Sequence, residues 1–161
     1  MPARRARVVT AAAAESPARQ LAGFIAKFDP EVATIIRGAV KKLRARFSTA
    51  VELVYDNYNA LAIGWTPNGR TSEVIVSVAG TSRGAVLYFT QGKKLTDPHK
   101  LLQGAGNQGR FVRIDTLAVL DDPRVDALVS AAAEQGKTPL PAHGRGYTVI
   151  KSISAKQRPR R

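Results

Sequence analysis

The residues best suited to chemistry lie between 88 and 113. Gly104-Ala105-Gly106-Asn107-Gln108-Gly109 matches the pattern G-x-G-x-x-G. A dinucleotide site needs that spacing after a strand and at the start of a helix, so that phosphates meet the helix dipole. Here Leu101-Leu102-Gln103 precedes the glycines and a β-rich run follows them. That order excludes the Rossmann reading and leaves two others, a plain glycine connector or a nest of backbone N–H groups that takes an anion. Lys93, Lys94, His99, Lys100, Arg110 and Arg113 surround the glycines in sequence. Arg110 and Arg113 differ in parity along one strand, so they should point to opposite faces. Asp97-Pro98 is expected to cap a brief helical turn through Leu101 and Leu102, which would put His99 at a positive dipole end. Aromatic residues add stacking surface. Tyr58 follows Tyr55 and Asn57 at a strand end, and Trp65 and Tyr88 are candidates for the same sheet; a core or rim role is the plainer use of such residues. The candidate ligand-binding set is therefore Tyr58, Tyr88, Lys93, Lys94, His99 and Arg110.

Other chemistries find less. There is no G-x-S-x-G elbow, and His99 and His143 are far apart in sequence, so no catalytic residue is assigned and a binding role is expected ahead of an enzymatic one. Cysteine is absent, which excludes disulfides, thiolate metal sites and thiol nucleophiles. Iron or another hard cation needs clustered carboxylates. Residues 17–46 offer Asp29 and Glu31 against Arg19, Lys27, Arg37, Lys41, Lys42, Arg44 and Arg46, a repulsive surface. Asp121, Asp122 and Asp126 are the densest acids, and Asp122 is better used as a helix cap. No metal ligand and no cofactor is assigned.

The chain has 161 residues, with 25 basic and 12 acidic side chains and a formal net charge of +13. Every acid falls between Glu15 and Glu134. Arg4, Arg5 and Arg7 precede that span, and Lys137, Arg145, Lys151, Lys156, Arg158, Arg160 and Arg161 follow it. The folded part is thus expected to be nearly neutral and the ends cationic. Lys151, Lys156, Arg158, Arg160 and Arg161 are candidate nucleic-acid contacts, because flexible cationic tails bind polyanions through counterion release, with little sequence preference. Val8–Ala14 is too short and alanine-rich for a secretory core, and no apolar run approaches a membrane span. A cytoplasmic setting without a membrane partner is the expectation.

The elements that must carry these residues follow from punctuation and periodicity. Ser16-Pro17, Asp29-Pro30 and Asp122-Pro123 each pair an N-cap with proline at the first helical position. Helices are predicted over about 17–28, about 30–46 and from 123 to a stop at Gly136. Between the second and third, β-rich runs fall at 51–55, 61–65, 74–78, 85–90 and 110–115, with Pro67-Asn68-Gly69 as a turn. The short connections favour antiparallel neighbours. The predicted fold is α+β: two N-terminal helices, an antiparallel meander of about five strands, and a C-terminal helix packed on one sheet face. Residues 1–15 are expected to form a disordered basic arm, 16–136 the domain, and 137–161 an irregular basic extension in which Tyr147–Ile150 could add a short edge strand.

Three segments carry a resemblance: AVELVYDNYNAL at 50–61, YFTQGKKLTDPHKLLQGAGNQGRFVRI at 88–114, and the Asp-Pro start at 122–123. Over roughly residues 16–135 the chain resembles the YdhG-like family, bacterial domains of unknown function similar in architecture to frataxin-like α/β sandwiches. Some members are described as iron chaperones, so the resemblance implies that role as one alternative. The residues themselves favour a small binding protein for an anionic or phosphate-bearing ligand, with nucleic-acid association through the tails as another alternative.

Overall fold

Each helix begins where the sequence places a cap followed by proline. The computed structural model describes residues 15–161. Ser16 Oγ accepts from the Arg19 N–H at 3.2 Å and α1 runs Pro17–Ile25. Asp29 precedes α2, Pro30–Arg46, without a side-chain cap bond. Asp122 accepts from the Arg124 N–H at 2.9 Å and opens α3, Pro123–Gln135. The Arg124 side chain and amide both bind the Asp122 carboxylate, and these bonds lower its pKa to about 2.

Six strands follow the first two helices: β1 Val51–Asp56, β2 Leu61–Thr66, β3 Val76–Thr81, β4 Gly84–Phe89, β5 Arg110–Ile114 and, after α3, β6 Tyr147–Ile153. The sheet order is β5-β4-β3-β2-β1-β6. Strands β1 to β5 form the expected antiparallel meander. The sixth strand corrects that description, because β6 lies parallel to β1 and makes the sheet mixed. A parallel neighbour requires a long return path, which here contains α3. Gly146 makes the close approach possible: a Cβ there would sit 2.1 Å from the Ala50 carbonyl oxygen, and its N–H donates to the Ser48 carbonyl at 2.7 Å.

One sheet face carries the helices. Leu61, Ile63 and Trp65 of β2 pair with Gly80, Val78 and Val76 of β3, and these pair in turn with Ala85, Leu87 and Phe89 of β4. All nine are buried. Gly80 lets the helical layer come close, since a Cβ would meet Ile36 Cδ1 at 2.7 Å. Trp65 is thus core, on the face opposite Tyr88, and the two aromatics do not share a surface. The same parity puts Glu52, Val54 and Asp56 of β1 under the helices. The two buried acids are met there by Arg44 at 2.6 Å and Lys27 at 2.8 Å.

The outer face is half roofed. The connection between β2 and β3 folds back over it, with Val74 covering Gly64 and Thr71 hydrogen-bonded to the Tyr55 hydroxyl at 2.5 Å. The outer sides of β3, β4 and β5 keep Ser77, Ala79, Val86, Tyr88, Phe111 and Arg113 partly or fully exposed.

The C-terminal segment is the largest departure from expectation. Beyond β6, residues 154–161 pack across the end of β1 instead of trailing from the domain. The Ser154 N–H donates to the Asp56 carbonyl at 2.9 Å, and the Arg158 N–H to the Tyr58 carbonyl at 2.8 Å. Arg160 is 5% exposed and donates to Asp56 Oδ1 at 3.0 Å and to the Asn57 carbonyl at 2.6 Å. A basic run looks like a solvated tail until a buried carboxylate is found opposite it. The expected arm at 1–15 lies, Glu15 apart, outside the described residues. Among the described residues no helix is long and apolar enough to cross a membrane.

Candidate functional site

The loop after Gln103 wraps the edge of the outer face. Gln103 and Phe111 exchange backbone hydrogen bonds at 2.8 and 3.0 Å, closing a loop over 104–110. Two rings tile its inner side. Tyr88 and Phe111 are direct cross-strand neighbours. A Cβ at Gly109 would fall 1.7 Å from the Tyr88 hydroxyl, and one at Gly104 would touch Phe111 at 3.5 Å. Gly109 is therefore required by the Tyr88 ring, whereas the contact at Gly104 is an ordinary one. Gly104 also holds φ of 110°, in the region open to glycine. Tyr88 stays 38% exposed beside an open groove formed by the loop and Phe111.

The polar groups of this loop are sorted by direction. Arg110 Nη1 donates to the carbonyls of Gly106 and Gly109, each at 2.7 Å. The Lys93 N–H donates to the Gln108 carbonyl at 2.9 Å. Every peptide here is trans, so an N–H points opposite to the carbonyl of its own peptide. With the Gly106 and Gln108 carbonyls bound inward, the N–H groups of Asn107 and Gly109 point away from those donors, and neither has a protein acceptor among the described residues. N–H groups left free in this way suit an anion, with Arg110 and the Lys93 amide holding the loop from the carbonyl side.

Of the six candidate ligand residues, Tyr88, Lys93 and Arg110 come together here. The other three do not. Lys94 lines a separate cleft of about 330 Å³ between the β2–β3 connection and the end of α3, together with Glu73, Lys137 and Thr138. Glu73 accepts hydrogen bonds from Thr138 and Asn68, which lower its pKa. His99 lies beside Asp97 and Arg124 in a groove at the start of α3. The expected helical start at Asp97 is a turn instead. The Asp97 carboxylate accepts from the Leu101 and Leu102 N–H groups at 2.9 and 2.8 Å, and Lys100 takes φ of 54°. The 97–102 segment therefore forms no helix of its own to present a dipole to His99. Tyr58 sits past the end of β1, where Arg158 stacks over its ring at 5.5 Å; Tyr88 belongs to β4, three places away in the sheet. Phe111 is absent from the candidate set, while the loop amides belong to the backbone nest that the glycine run suggests. Parity with Tyr88 across two neighbouring strands was the signal that could have found the ring.

The tail candidates divide in the same way. Arg160 is buried, and Arg161 donates to the carbonyls of Lys27 and Ala26 at 3.1 and 3.3 Å. Lys151, Lys156 and Arg158 remain exposed. The docked segment removes the flexible C-terminal tail that the nucleic-acid reading required.

Acidic side chains are largely used one at a time. Asp56 meets Lys27 and Arg160, Glu52 meets Arg44, Asp121 meets Lys42, Asp126 meets Arg46, and Asp122 meets Arg124. Among the described residues no three His, Asp or Glu side chains group where they could hold a metal ion. Comparison with family models, curated proteins and solved structures returns no match to this chain.

Proposed function

We propose that this chain is a non-enzymatic binding protein of YdhG-like type whose 104–110 loop takes an anionic, phosphate-bearing ligand. The observation that carries the reading is the sorting of the loop: Arg110 and the Lys93 amide bind its carbonyls, which leaves the Asn107 and Gly109 N–H groups to an outside acceptor. Lys93 is exposed and has no ion-pair partner among the described residues. Tyr88 and Phe111 supply apolar surface for the rest of such a ligand.

Thermal-shift titration with inorganic phosphate and with nucleoside monophosphates tests this. A ligand present at about ten times its Kd stabilises by about 1.4 kcal/mol, a rise of about 3–6 °C for a domain of this size. Lys93→Ala with Arg110→Ala should abolish the rise, and Lys94→Ala with Lys137→Ala should leave it. No rise with any of these probes, or a rise lost only in the second pair, would remove the loop as the site.

A further inference from the structure

We infer that the partly open outer face of β3, β4 and β5 is a platform for single-stranded nucleic acid. The inference rests on the loop reading above and extends it from a single phosphate to a polymer. Tyr88 and Phe111 are adjacent across β4 and β5, on the face away from the helices. Ring surfaces placed this way accept bases of any sequence, because every base has a π-face. The floor beside them is low: Ser77, Ala79 and Val86 occupy the neighbouring outward positions. The 104–110 loop packs against both rings, but Tyr88 stays 38% exposed beside it and Ser77, Ala79 and Val86 are partly exposed, whereas Val74 covers Gly64 on the other half.

Charge selects the occupant. At one end of the ring pair lies the loop, whose Asn107 and Gly109 amides have no acceptor among the described residues; it is tied to Lys93 through the Lys93 N–H and braced by Arg110, which starts on the helix-side parity of β5 and binds the loop carbonyls. Two residues along β5 from Phe111, about 7 Å at strand rise, Arg113 projects on the same face. Its Nη2 donates to the Arg83 carbonyl at 3.1 Å, which ties the guanidinium to the turn between β3 and β4. Asp115, 3.5 Å from Arg113, is the acid that meets this group. The loop amides at one end and Arg113 at the other give a strand's phosphates a contact before and after the stacked bases, which a mononucleotide cannot use. A duplex hides its base faces, so the rings discriminate in favour of single strands. A second copy of this chain would bring the same arginines against themselves.

Fluorescence anisotropy of the full chain with labelled RNA and DNA of about 12 nucleotides, against a duplex of equal length and phosphatidylglycerol vesicles, decides it. Single strands should bind more tightly than duplex at equal salt. Tyr88→Leu, which keeps apolar cover but removes the ring, should weaken binding about 10-fold, while Tyr88→Phe should stay within about twofold. Arg113→Gln should reduce the slope of log K against log salt by about 0.7. Replacing Arg4, Arg5 and Arg7 by alanine should lower affinity without changing the Tyr88 effect. Binding that ignores Tyr88→Leu, or that is no better for single strands than for duplex or vesicles, would overturn the inference. Absence of single-strand binding while phosphate still protects the wild-type loop would overturn it and leave the loop reading standing; loss of both signals would end both.

Discussion

Replacing Arg160 by methionine should cost the fold about 2–3 kcal/mol, although the residue is next to last in a basic run. Asp56 is fully buried and accepts from Lys27 at 2.8 Å and from Arg160 at 3.0 Å. Breaking a buried ion pair from one side typically costs about 3–5 kcal/mol. The lower figure applies here for two reasons. Lys27 still compensates Asp56 after the change, and the substitution removes Arg160 Nε and Nη1, which are buried without hydrogen-bond partners. Asp56→Asn should cost more, about 3–5 kcal/mol, because Arg160 then keeps a buried charge with no carboxylate opposite. At about 2–4 °C per kcal/mol for a domain of this size, Arg160→Met should lower Tm by about 4–12 °C, and Asp56→Asn should lower it further. Urea unfolding at pH 7 with unchanged m-values would measure both, and the double variant would give the coupling. A change within about 0.5 kcal/mol for Arg160→Met, the level of an ordinary surface substitution, would refute the docked tail.

Three further outcomes follow from the same geometry. Gly146→Ala should detach β6, because its Cβ would meet the Ala50 carbonyl at 2.1 Å; faster amide exchange confined to Tyr147–Ile153 and its β1 neighbours is the signature. Acid should loosen the same clasp. Burial alone raises the Asp56 pKa, but hydrogen bonds from Lys27, Gln157 and Arg160 outweigh it and bring the folded value below 3.8. Its stabilisation is complete above the unfolded value and is lost as pH falls through the lower folded one, so Asp56→Asn should flatten the acid limb of stability below about pH 4; an unchanged limb would contradict this. Gly109→Ala should displace the Tyr88 hydroxyl, 1.7 Å from the new Cβ, and weaken phosphate binding with little loss of Tm, read by calorimetry and thermal melting together.

Much of the fold was legible because it is written locally. The proline-marked starts at Pro17, Pro30 and Pro123 are chemical statements about single backbone N–H groups, and α2 ends at Arg46 as its apolar stripe implied. Alternation separated Ala85, Leu87 and Phe89 from Val86 and Tyr88 for the same reason. What failed was non-local. In β1, alternation groups the apolar Val51 and Leu53 with Tyr55 on one face, but the helices cover the opposite one, where Glu52 and Asp56 are tolerated because Arg44, Lys27 and Arg160 reach them from elsewhere in the chain. Strand β6 pairs with β1 across some 96 residues, a distance no turn signal spans. At the candidate site the glycines and cations were visible in the sequence, but their grouping was not. Lys93 and Lys94 are adjacent in sequence, yet Lys93 is bonded to the glycine loop through its N–H and Lys94 lines another cleft.

The most direct measurement is a titration of the amide-resolved NMR spectrum with inorganic phosphate. The account predicts saturable shifts of the Asn107 and Gly109 amides that vanish in Arg110→Ala, with Ser72 and Thr138 beside Lys94 unmoved. Stationary loop amides, or shifts gathered around Lys94 and Lys137 instead, would contradict it.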